Sequence, residues 1–499
     1  MIQRGDTVAI ERFVRTTDSV AVDLVIKMQG RFVYVAKTAK DFTIDRLSLQ
    51  YYAPNGAADA RPVQTALLTL KGDSVIAEIG SGTQKQVQRL KTTAGAVMMP
   101  ASSFAAFEQL TMKQRAAGRS ISVPIFATTG GATATVSLSP IGIDSVLATV
   151  ADQEYRFKVD QAGHILGGAA PGSGLVISRV DAAAAARLAL GQPDYSAPAG
   201  APYTAEEVSV PGPAGTILGG TLTLPKSVSP VPAVVTISGS GQQDRDEYIP
   251  IAGGYRPFRQ IADTLGRRGI AVLRLDDRGI GASNGNPATG TSADFADDVR
   301  AAVEYLRTRH EIDPSRVALL GHSEGALIAP MVAASDKRLK GIVLLAGPAD
   351  NGRQIIRYQQ RYAIDQDTTL TPAKRDSVYR IAEAQLDSAA TKNSWIRFFL
   401  HYSPDTTARK VRVPVLILQG ATDQQVPAVQ AEKLAAAFRA GGNRDVTVHV
   451  LPGLNHLFIV DPSGNPQGYG RLATNKVDAQ VLGMVADWLA DKLGAAKPR

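Results

Sequence analysis

The sequence predicts an α/β fold, a mostly parallel sheet with helices on both faces, preceded by a mainly antiparallel β domain. Up to about residue 182, apolar and polar residues alternate in short runs, which is the pattern of strands with one buried face. From about residue 208, runs rich in Val, Ile and Leu are separated by helical patterns, which indicates parallel strands buried on both faces. A change in the period of the hydrophobic pattern therefore divides the chain.

The first half is predicted to be an accessory β domain over residues 1–182. Its strands are expected at runs such as "SVAVDLVIKM", "RFVYVAKTA", "QTALLTLKG" and "TATVSLSPIG", and one helix is expected near "SSFAAFEQLTMKQRAAG". Residues 183–206 lose all periodicity after a run of alanines and gain prolines, which is the composition of a linker.

Residues 207–499 are predicted to form the α/β domain. A first hairpin is expected at "GTILGGTLTLP", followed by strands at "VPAVVTIS", "IAVLRLDD", "RVALLGHS", "LKGIVLLAG", "VPVLILQG" and "DVTVHVLPG". The stretch at about 348–412 has no strand character and contains helical patterns with aromatic residues. We expect this insertion to form a helical cap over the carboxyl ends of the strands.

Composition excludes several classes of protein. Among 499 residues, Lys and Arg exceed Asp and Glu by 54 to 46, but these charges form no blocks, so nucleic-acid binding is not expected. Cysteine is absent, which excludes disulfides, thiolate metal sites and a cysteine nucleophile. No apolar run approaches the ~20 residues that span a bilayer, and no metal-binding or phosphate-binding motif is present. The start of the chain does not resemble a signal peptide, but an exported protein whose signal had been removed would look the same, so the compartment stays open.

The stretch "LLGHSEG" places Ser323 in the pattern G-x-S-x-G, between a predicted strand and a predicted helix. Gly321 and Gly325 allow a turn so sharp that the serine hydroxyl is exposed on strained backbone. A serine hydroxyl attacks a carbonyl only when a base removes its proton, and the base needs an acid to hold its tautomer. The pattern recurs by chance in proteins rich in Gly and Ser, so the rest of the chain must supply those partners.

A carboxylate and a histidine follow Ser323 in the required order. Asp423, in "LILQGATDQQVP", ends one predicted strand, and His456, in "LPGLNHLF", lies in the loop after the last strand. Ligands bind beyond the carboxyl ends of parallel strands, and all three residues are expected there. The other histidines are expected in the β domain, at a helix end, on the serine turn, in the cap and in a strand: His164, His310, His322, His401 and His449. Each of the three residues alone could be structural, but their joint placement favours catalysis.

Hydrolysis also needs donors for the oxyanion that develops on the attacked carbonyl, each worth roughly 3 to 4 kcal/mol. One is expected to be the backbone N–H of Glu324, directly after the serine. The second is expected from the loop "GSGQQDRDE", with Ser240 N–H as the first choice and Gly241 N–H as the alternative. The side chain of Glu324 is expected only to stabilise the start of the following helix.

Two further groups of side chains are expected near the site. The aromatics of "SWIRFFLHY" recur at helical spacing and are predicted to line an apolar acyl pocket, although packing within the cap is the alternative: Trp395, Phe398, Phe399 and Tyr402. Charged residues on two adjacent loops form either a clamp beside the site or a structural salt-bridge network: Arg245, Asp276, Asp277 and Arg278.

Six motifs carry a resemblance to a known family: "ISGSGQQDRDE", "LRLDDRGIGAS", "LLGHSEGA", "SWIRFFLHYSP", "VPVLILQGATDQQVP" and "LPGLNHLF". In this order they resemble bacterial α/β-hydrolase carboxylesterases of the esterase D type, over roughly residues 205–495. The resemblance implies an α/β-hydrolase fold, a triad of Ser323, Asp423 and His456, and activity on small carboxylic esters without a cofactor. The N-terminal half is longer and less recognisable than an ordinary extension, and its role is not implied.

The predicted function is therefore that of a serine carboxylesterase that works through an acyl-enzyme. A triad does not choose the leaving group, so acyl transfer, thioester hydrolysis and oligopeptidase-like cleavage stay open. The first half lacks the repeats of a propeller, which argues against a gated peptidase. An alternative of another class is a binding or scaffold protein that uses the β domain. The expected partner is a small-molecule ester, and the oligomeric state is left open.

Overall fold

The computed structural model describes residues 1–3, 5–27, 29–52, 61–81, 84–100, 103–150, 153–190, 193–286, 290–367 and 370–495. The chain forms two compact units, Met1–Pro193 and Asp194–Arg499. Within the described ranges, no helix is both long and apolar enough to cross a membrane.

The first unit consists of two sheets and confirms the predicted, mainly antiparallel β domain. Its strands are β1 (Ile2–Gln3), β2 (Asp6–Thr7), β3 (Ala9–Arg15), β4 (Ser19–Ile26), β5 (Gly30–Thr38), β6 (Ile44–Tyr52), β7 (Gln64–Lys71), β8 (Ser74–Ser81), β9 (Gln84–Lys91), β10 (Val97–Met99), β11 (Ile121–Ala127), β12 (Thr133–Pro140), β13 (Ser145–Val150), β14 (Gln153–Val159), β15 (Ile165–Ala170) and β16 (Leu175–Ser178). Strands β3 to β9 form one antiparallel meander, and the others form the second sheet, in which β10 and β11 run parallel.

One helix, α1 (Phe104–Ala117), contacts strands of both sheets of this unit. The Ser103 side chain caps it by accepting from Ala106 N, and the helix ends at Gly118, whose φ of 62° suits glycine. A second helix, α2 (Ala182–Arg187), is capped by Asp181 and lies at the start of the predicted linker. That segment is thus partly helical, because an Asp cap and an alanine run favour a helix.

The second unit contains one eight-stranded sheet in the order β17-β18-β20-β19-β21-β22-β23-β24 within the described residues. Its strands are β17 (Tyr203–Pro211), β18 (Ile217–Pro225), β19 (Val231–Ile237), β20 (Ala271–Leu275), β21 (Ile312–His322), β22 (Ile342–Leu345), β23 (Val415–Gly420) and β24 (Val446–Leu451). Strand β18 pairs antiparallel with both β17 and β20, whereas the remaining pairs are parallel.

The hairpin predicted within "GTILGGTLTLP" is wrong, because that segment is the single strand β18 and its antiparallel partner is β17. Its two glycines, Gly219 and Gly220, lie within the strand. A side chain at Gly219 would overlap Ala282, and one at Gly220 would overlap Arg274 and Leu275. These glycines therefore permit close packing rather than a reversal of the chain.

Helices cover both faces of this sheet and explain why its strands read as unbroken apolar runs. They are α3 (Pro257–Arg267), α4 (Ser292–Thr308), α5 (Glu324–Ala333), α6 (Gly352–Asp365), α7 (Pro372–Lys392), α8 (Ser394–His401), α9 (Pro404–Ala408), α10 (Val429–Ala440) and α11 (Ala479–Leu493). Successive strand residues alternate between two cores. Leu319 packs with α4, α5 and α10, and Leu320 packs with α3 and α11. Helices α6 to α9 lie between β22 and β23, where the helical insertion was expected.

Candidate active site

Ser323 occupies a sharp turn between β21 and α5. Its backbone has φ 54° and ψ −114°, a left-handed conformation that costs of order 1–3 kcal/mol for a residue other than glycine. Side chains at Gly321 or Gly325 would overlap neighbouring backbone, which explains why the turn needs glycine at both positions. The Ser323 N–H donates to Leu345 O at 2.8 Å, which ties the turn to strand β22.

Asp423 and His456 meet beyond the ends of strands β23 and β24. His456 Nδ1 lies 2.8 Å from Asp423 Oδ2, and the two side chains are 5% and 0% exposed. The carboxylate also accepts from Gln419 Nε2 at 2.8 Å and from the N–H groups of Gln425 and Val426. Because these donors keep Asp423 as an acceptor, His456 carries its proton on Nδ1, which leaves Nε2 able to accept a proton.

His322, directly before Ser323, connects the serine turn to the loop of His456. Its Nε2 lies 3.0 Å from His456 O, and the two imidazole rings have centroids 4.9 Å apart. Its Nδ1 lies 2.7 Å from Glu247 Oε1. Sequence reasoning placed His322 on the turn without a partner and did not single out Glu247, which lies far away in the chain.

The loop after β19 lies against the serine. A Cβ atom built on Gly239 would be 3.2 Å from Ser323 Cβ, and Gly239 N donates to Glu247 Oε1 at 2.7 Å. The N–H groups of Ser240, Gly241 and Glu324 donate no hydrogen bond to any residue that the structure describes. All three backbone donors named from the sequence are thus unpaired within the described residues.

Both ends of this loop are held by Asp277. Its carboxylate accepts from Ser238 Oγ at 3.0 Å and from Gln243 N at 2.9 Å, and its own N–H donates to Gln243 O. Burial raises the pKa of Asp277 well above its ordinary value. Asp277 therefore fixes the conformation of this loop, a role that its position in "DDRG" did not predict.

The other charged residues of these loops form internal ion pairs. The Arg245 guanidinium is 2% exposed and pairs with Asp276 through Nη2 at 2.8 Å and Nε at 3.1 Å. Arg278 pairs with Asp298 on helix α4. These contacts fit the structural network, which was one of the two alternatives for this group.

A cavity beside the serine turn is lined by Gly239 and Gly241, by Glu324, and by apolar side chains of the strands and of helices α4 and α5, among them Leu218, Leu275, Phe295 and Ile328. Glu324 is only 4% exposed, and burial raises its pKa. Its Oε1 accepts from Ser292 Oγ at 2.6 Å and from Trp395 Nε1 at 2.7 Å. The sequence predicted only a stabilising charge at the helix start, whereas the side chain is buried and links α4, α5 and α8.

The four aromatic residues of the cap do not line this cavity. Trp395 stacks on Phe399 with centroids 5.1 Å apart, and Phe399 belongs to the main core. Phe398 stacks on Tyr402, whose hydroxyl donates to Thr407 Oγ1. Of the four, Trp395 reaches a residue of the site directly, through its bond to Glu324.

The sheet order, the strained serine and the adjacent His–Asp pair define an α/β-hydrolase. The family model described as serine aminopeptidase, S33, matches residues 252–463, all within the second unit. Esterase EstD of Thermotoga maritima is 30% identical over 305 residues, which cover 60% of this chain and 69% of that protein. The chain belongs to the α/β-hydrolase family that includes Esterase EstD, and it is an enzyme that hydrolyses esters.

Two other comparisons give the extent of the similarity. The uncharacterized protein MT2364 of Mycobacterium tuberculosis is 30% identical over 208 residues, which cover 41% of this chain and 59% of that one. Among solved structures, the Pyrococcus furiosus esterase PF2001 aligns with a TM-score of 0.41 at 16% identity, over 58% of this chain and 92% of that chain.

Proposed function

We propose that the protein is a serine carboxylesterase that hydrolyses small carboxylic esters through an acyl-enzyme, with Ser323, His456 and Asp423 as its catalytic triad. The observation that carries the proposal is the buried His456–Asp423 contact of 2.8 Å at the sheet edge where strained Ser323 stands. The membership of an esterase family supports the ester as the bond that is cleaved.

In the first half of the reaction, His456 Nε2 takes the proton of Ser323 as Oγ attacks the ester carbonyl. The N–H of Glu324 and that of Ser240 or Gly241 donate to the tetrahedral oxyanion. Protonated His456 then gives its proton to the departing alcohol, and an acyl group remains on Ser323 Oγ. Asp423 stabilises the imidazolium without taking its proton.

In the second half, His456 removes a proton from water, and the hydroxide attacks the acyl carbonyl. The same donors hold the second tetrahedral intermediate. Its collapse returns the proton to Ser323 Oγ and releases the carboxylic acid. Each group of the site is thereby restored, so the reaction needs no cofactor.

A second candidate is amide cleavage, because the matching family model is described as a serine aminopeptidase. Both reactions use the same acyl-enzyme and differ in the leaving group. A panel of 4-nitrophenyl esters of rising acyl length, run beside aminoacyl 4-nitroanilides and thioesters, separates them. We expect the largest kcat/KM on short-chain esters, and higher values on the anilides would favour the peptidase.

The nucleophile is tested with a fluorophosphonate probe and mass spectrometry of the labelled peptide. We expect the label on Ser323, an initial burst of nitrophenolate, and loss of both in Ser323→Ala. Ser335→Ala is the matched control, because Ser335 lies just past the other end of helix α5 and, among the residues that the structure describes, its Oγ donates to Val332 O alone. Labelling of another serine would reject the proposed mechanism.

A further inference from the structure

A second carboxylate–imidazole pair lies beside the proposed triad and takes no part in its proton transfers. Glu247 Oε1 and His322 Nδ1 are 2.7 Å apart, and the two side chains are 1% and 6% exposed. Taking two charged groups out of water is expensive unless their contacts offset the loss of hydration. The role of Glu247 and His322 must therefore be read from the groups that they contact.

The pair contacts both halves of the catalytic machinery. Glu247 Oε1 accepts from Gly239 N at 2.7 Å, so it holds the loop that supplies an oxyanion donor. His322 Nε2 lies 3.0 Å from His456 O and so holds the loop of the general base. The pair thus forms a continuous hydrogen-bonded connection from the oxyanion loop to the backbone of the catalytic histidine.

The protonation state of His322 follows from these partners. A carbonyl oxygen only accepts, so Nε2 carries a hydrogen that it donates to His456 O. An ionised Glu247 accepts through one oxygen from both Gly239 N and Nδ1, an arrangement that favours an imidazolium with a hydrogen on each ring nitrogen. The pKa of His322 is raised: burial is the largest single effect and lowers it, but the charge and hydrogen bond of Glu247, the carbonyl of His456 and the charge of Asp423 together more than offset burial.

The backbone turn at Glu247 orients its carboxylate. Glu247 has φ 55°, which is unfavourable for a residue with a side chain. Its N–H donates to Asp244 O at 2.9 Å, and Asp244 Oδ1 accepts from the N–H groups of Asp246 and Tyr248. A strained turn, held by three hydrogen bonds, therefore directs Glu247 inward to the serine.

We propose that Glu247 and His322 act as positioning residues that fix the oxyanion loop relative to His456, and that they lower the barrier of the chemical step without contributing to substrate binding. The inference rests on the proposed roles of Ser323 and His456. Its reason is that a tetrahedral intermediate needs the oxyanion donors and the imidazole in place together, whereas substrate binding does not.

Glu247→Gln tests the proposal because an amide cannot keep both hydrogen bonds of the carboxylate, the one from Gly239 N and the one with His322 Nδ1. If its oxygen accepts from Gly239 N, His322 loses its counter-charge and with it one of its two ring protons. If its NH₂ group faces His322 instead, Gly239 N loses its acceptor. We expect kcat on 4-nitrophenyl butyrate to fall about 100-fold while KM stays within about threefold. Affinity for phenylboronic acid, which forms a tetrahedral adduct, should fall with kcat.

His322→Gln and the double variant complete the test. If the two residues form one connection, the double variant should lose little more activity than the worse single variant. Asp246→Asn is the matched control, since its buried carboxylate is on the same turn but pairs with Arg274 and Arg256. We expect it to lower the melting temperature at least as much as Glu247→Gln and to keep kcat within about threefold.

Three results would overturn the proposal: unchanged kcat in Glu247→Gln, a KM that rises in place of a falling kcat, or activity losses that follow the melting temperature in all variants, Asp246→Asn included. The fluorophosphonate experiment separates failure of this positioning role from failure of the triad. Label on Ser323 with unchanged kcat in Glu247→Gln rejects only the connection. Label elsewhere in the unmodified protein rejects the proposed function itself.

Discussion

Replacing Asp423 by Asn should disable the site through the tautomer of His456. The carboxylate accepts four hydrogen bonds, two on each oxygen. Oδ1 accepts from Gln425 N at 2.8 Å and Val426 N at 2.9 Å, and both donors belong to the backbone, which cannot reverse its polarity. The amide oxygen of Asn must therefore occupy the Oδ1 position, and its NH₂ group must occupy that of Oδ2.

In that orientation the NH₂ group faces the side-chain amide of Gln419 and the ring of His456, which now lie 2.8 Å from Oδ2. A donor at this place favours the His456 tautomer with an unprotonated Nδ1, so the hydrogen moves to Nε2. An Nε2–H group cannot take the proton of Ser323. The change thus removes the general base while the ring keeps its position.

The wrong tautomer of the general base in a triad lowers kcat about 10,000-fold, or roughly 5 kcal/mol of barrier. Asp423 lies behind His456, away from the ester, so KM should stay within about threefold. The unpaired donor of Gln419 should lower the free energy of unfolding by about 1–3 kcal/mol. The loss of activity should therefore greatly exceed the loss of stability.

The assay is hydrolysis of 4-nitrophenyl butyrate at matched concentrations of folded protein, with the melt followed by circular dichroism. Asp461→Asn is the control, because its buried carboxylate bonds to Asn455 in the same loop as His456 without touching the imidazole. We expect that control to keep kcat within about tenfold. A folded Asp423→Asn protein with kcat within about tenfold of the unmodified enzyme would refute the reasoning.

Three further results are expected. His456→Ala should lower kcat by several orders of magnitude, whereas exposed His449 can be replaced by Ala with kcat kept within about threefold; equal losses would contradict the choice of base. Trp395→Phe removes the hydrogen-bond donor to Glu324 but keeps an aromatic ring. The preference among nitrophenyl esters of rising chain length should therefore change. An unchanged preference with a lower melting temperature would mean that the contact serves packing alone. A shortened chain that begins at Asp194, the first residue of the second unit, should keep esterase activity within about tenfold; a folded but inactive product would mean that the first unit completes the site.

The parts of the site that could be predicted are those that local rules govern. The turn at Ser323 follows from the sterics of Gly321 and Gly325, which act within five residues of chain. Asp423 and His456 follow adjacent parallel strands, and such strands end at one edge of a sheet, so their side chains had to be neighbours. Their contact is seen in the structure, and their catalytic roles remain predictions.

The contacts that could not be predicted join residues far apart in the chain. Glu247 and His322 are 75 positions apart, and Trp395 is 71 positions from Glu324. In the sequence, Glu247 is one of several acidic residues in "QQDRDE", and nothing there selects it over Asp244 or Asp246. The environment of the aromatic residues in the cap helix could not be predicted either, because helical spacing is equally compatible with a pocket and with a core.

The sequence by itself determined the two halves of the chain, the order of most strands and helices, the strained turn, and the edge of the sheet at which Ser323, Asp423 and His456 lie. These features depend on each residue's preference for its own backbone and on a periodic burial pattern that is legible along the chain. Only the tertiary structure decided which buried charges pair, which aromatic side chains enter the core, and that Glu247 and His322 connect the loop after β19 to His456. Those contacts arise where loops from different strands converge, and their geometry is set by how the sheet and helices pack around them, which no local pattern records.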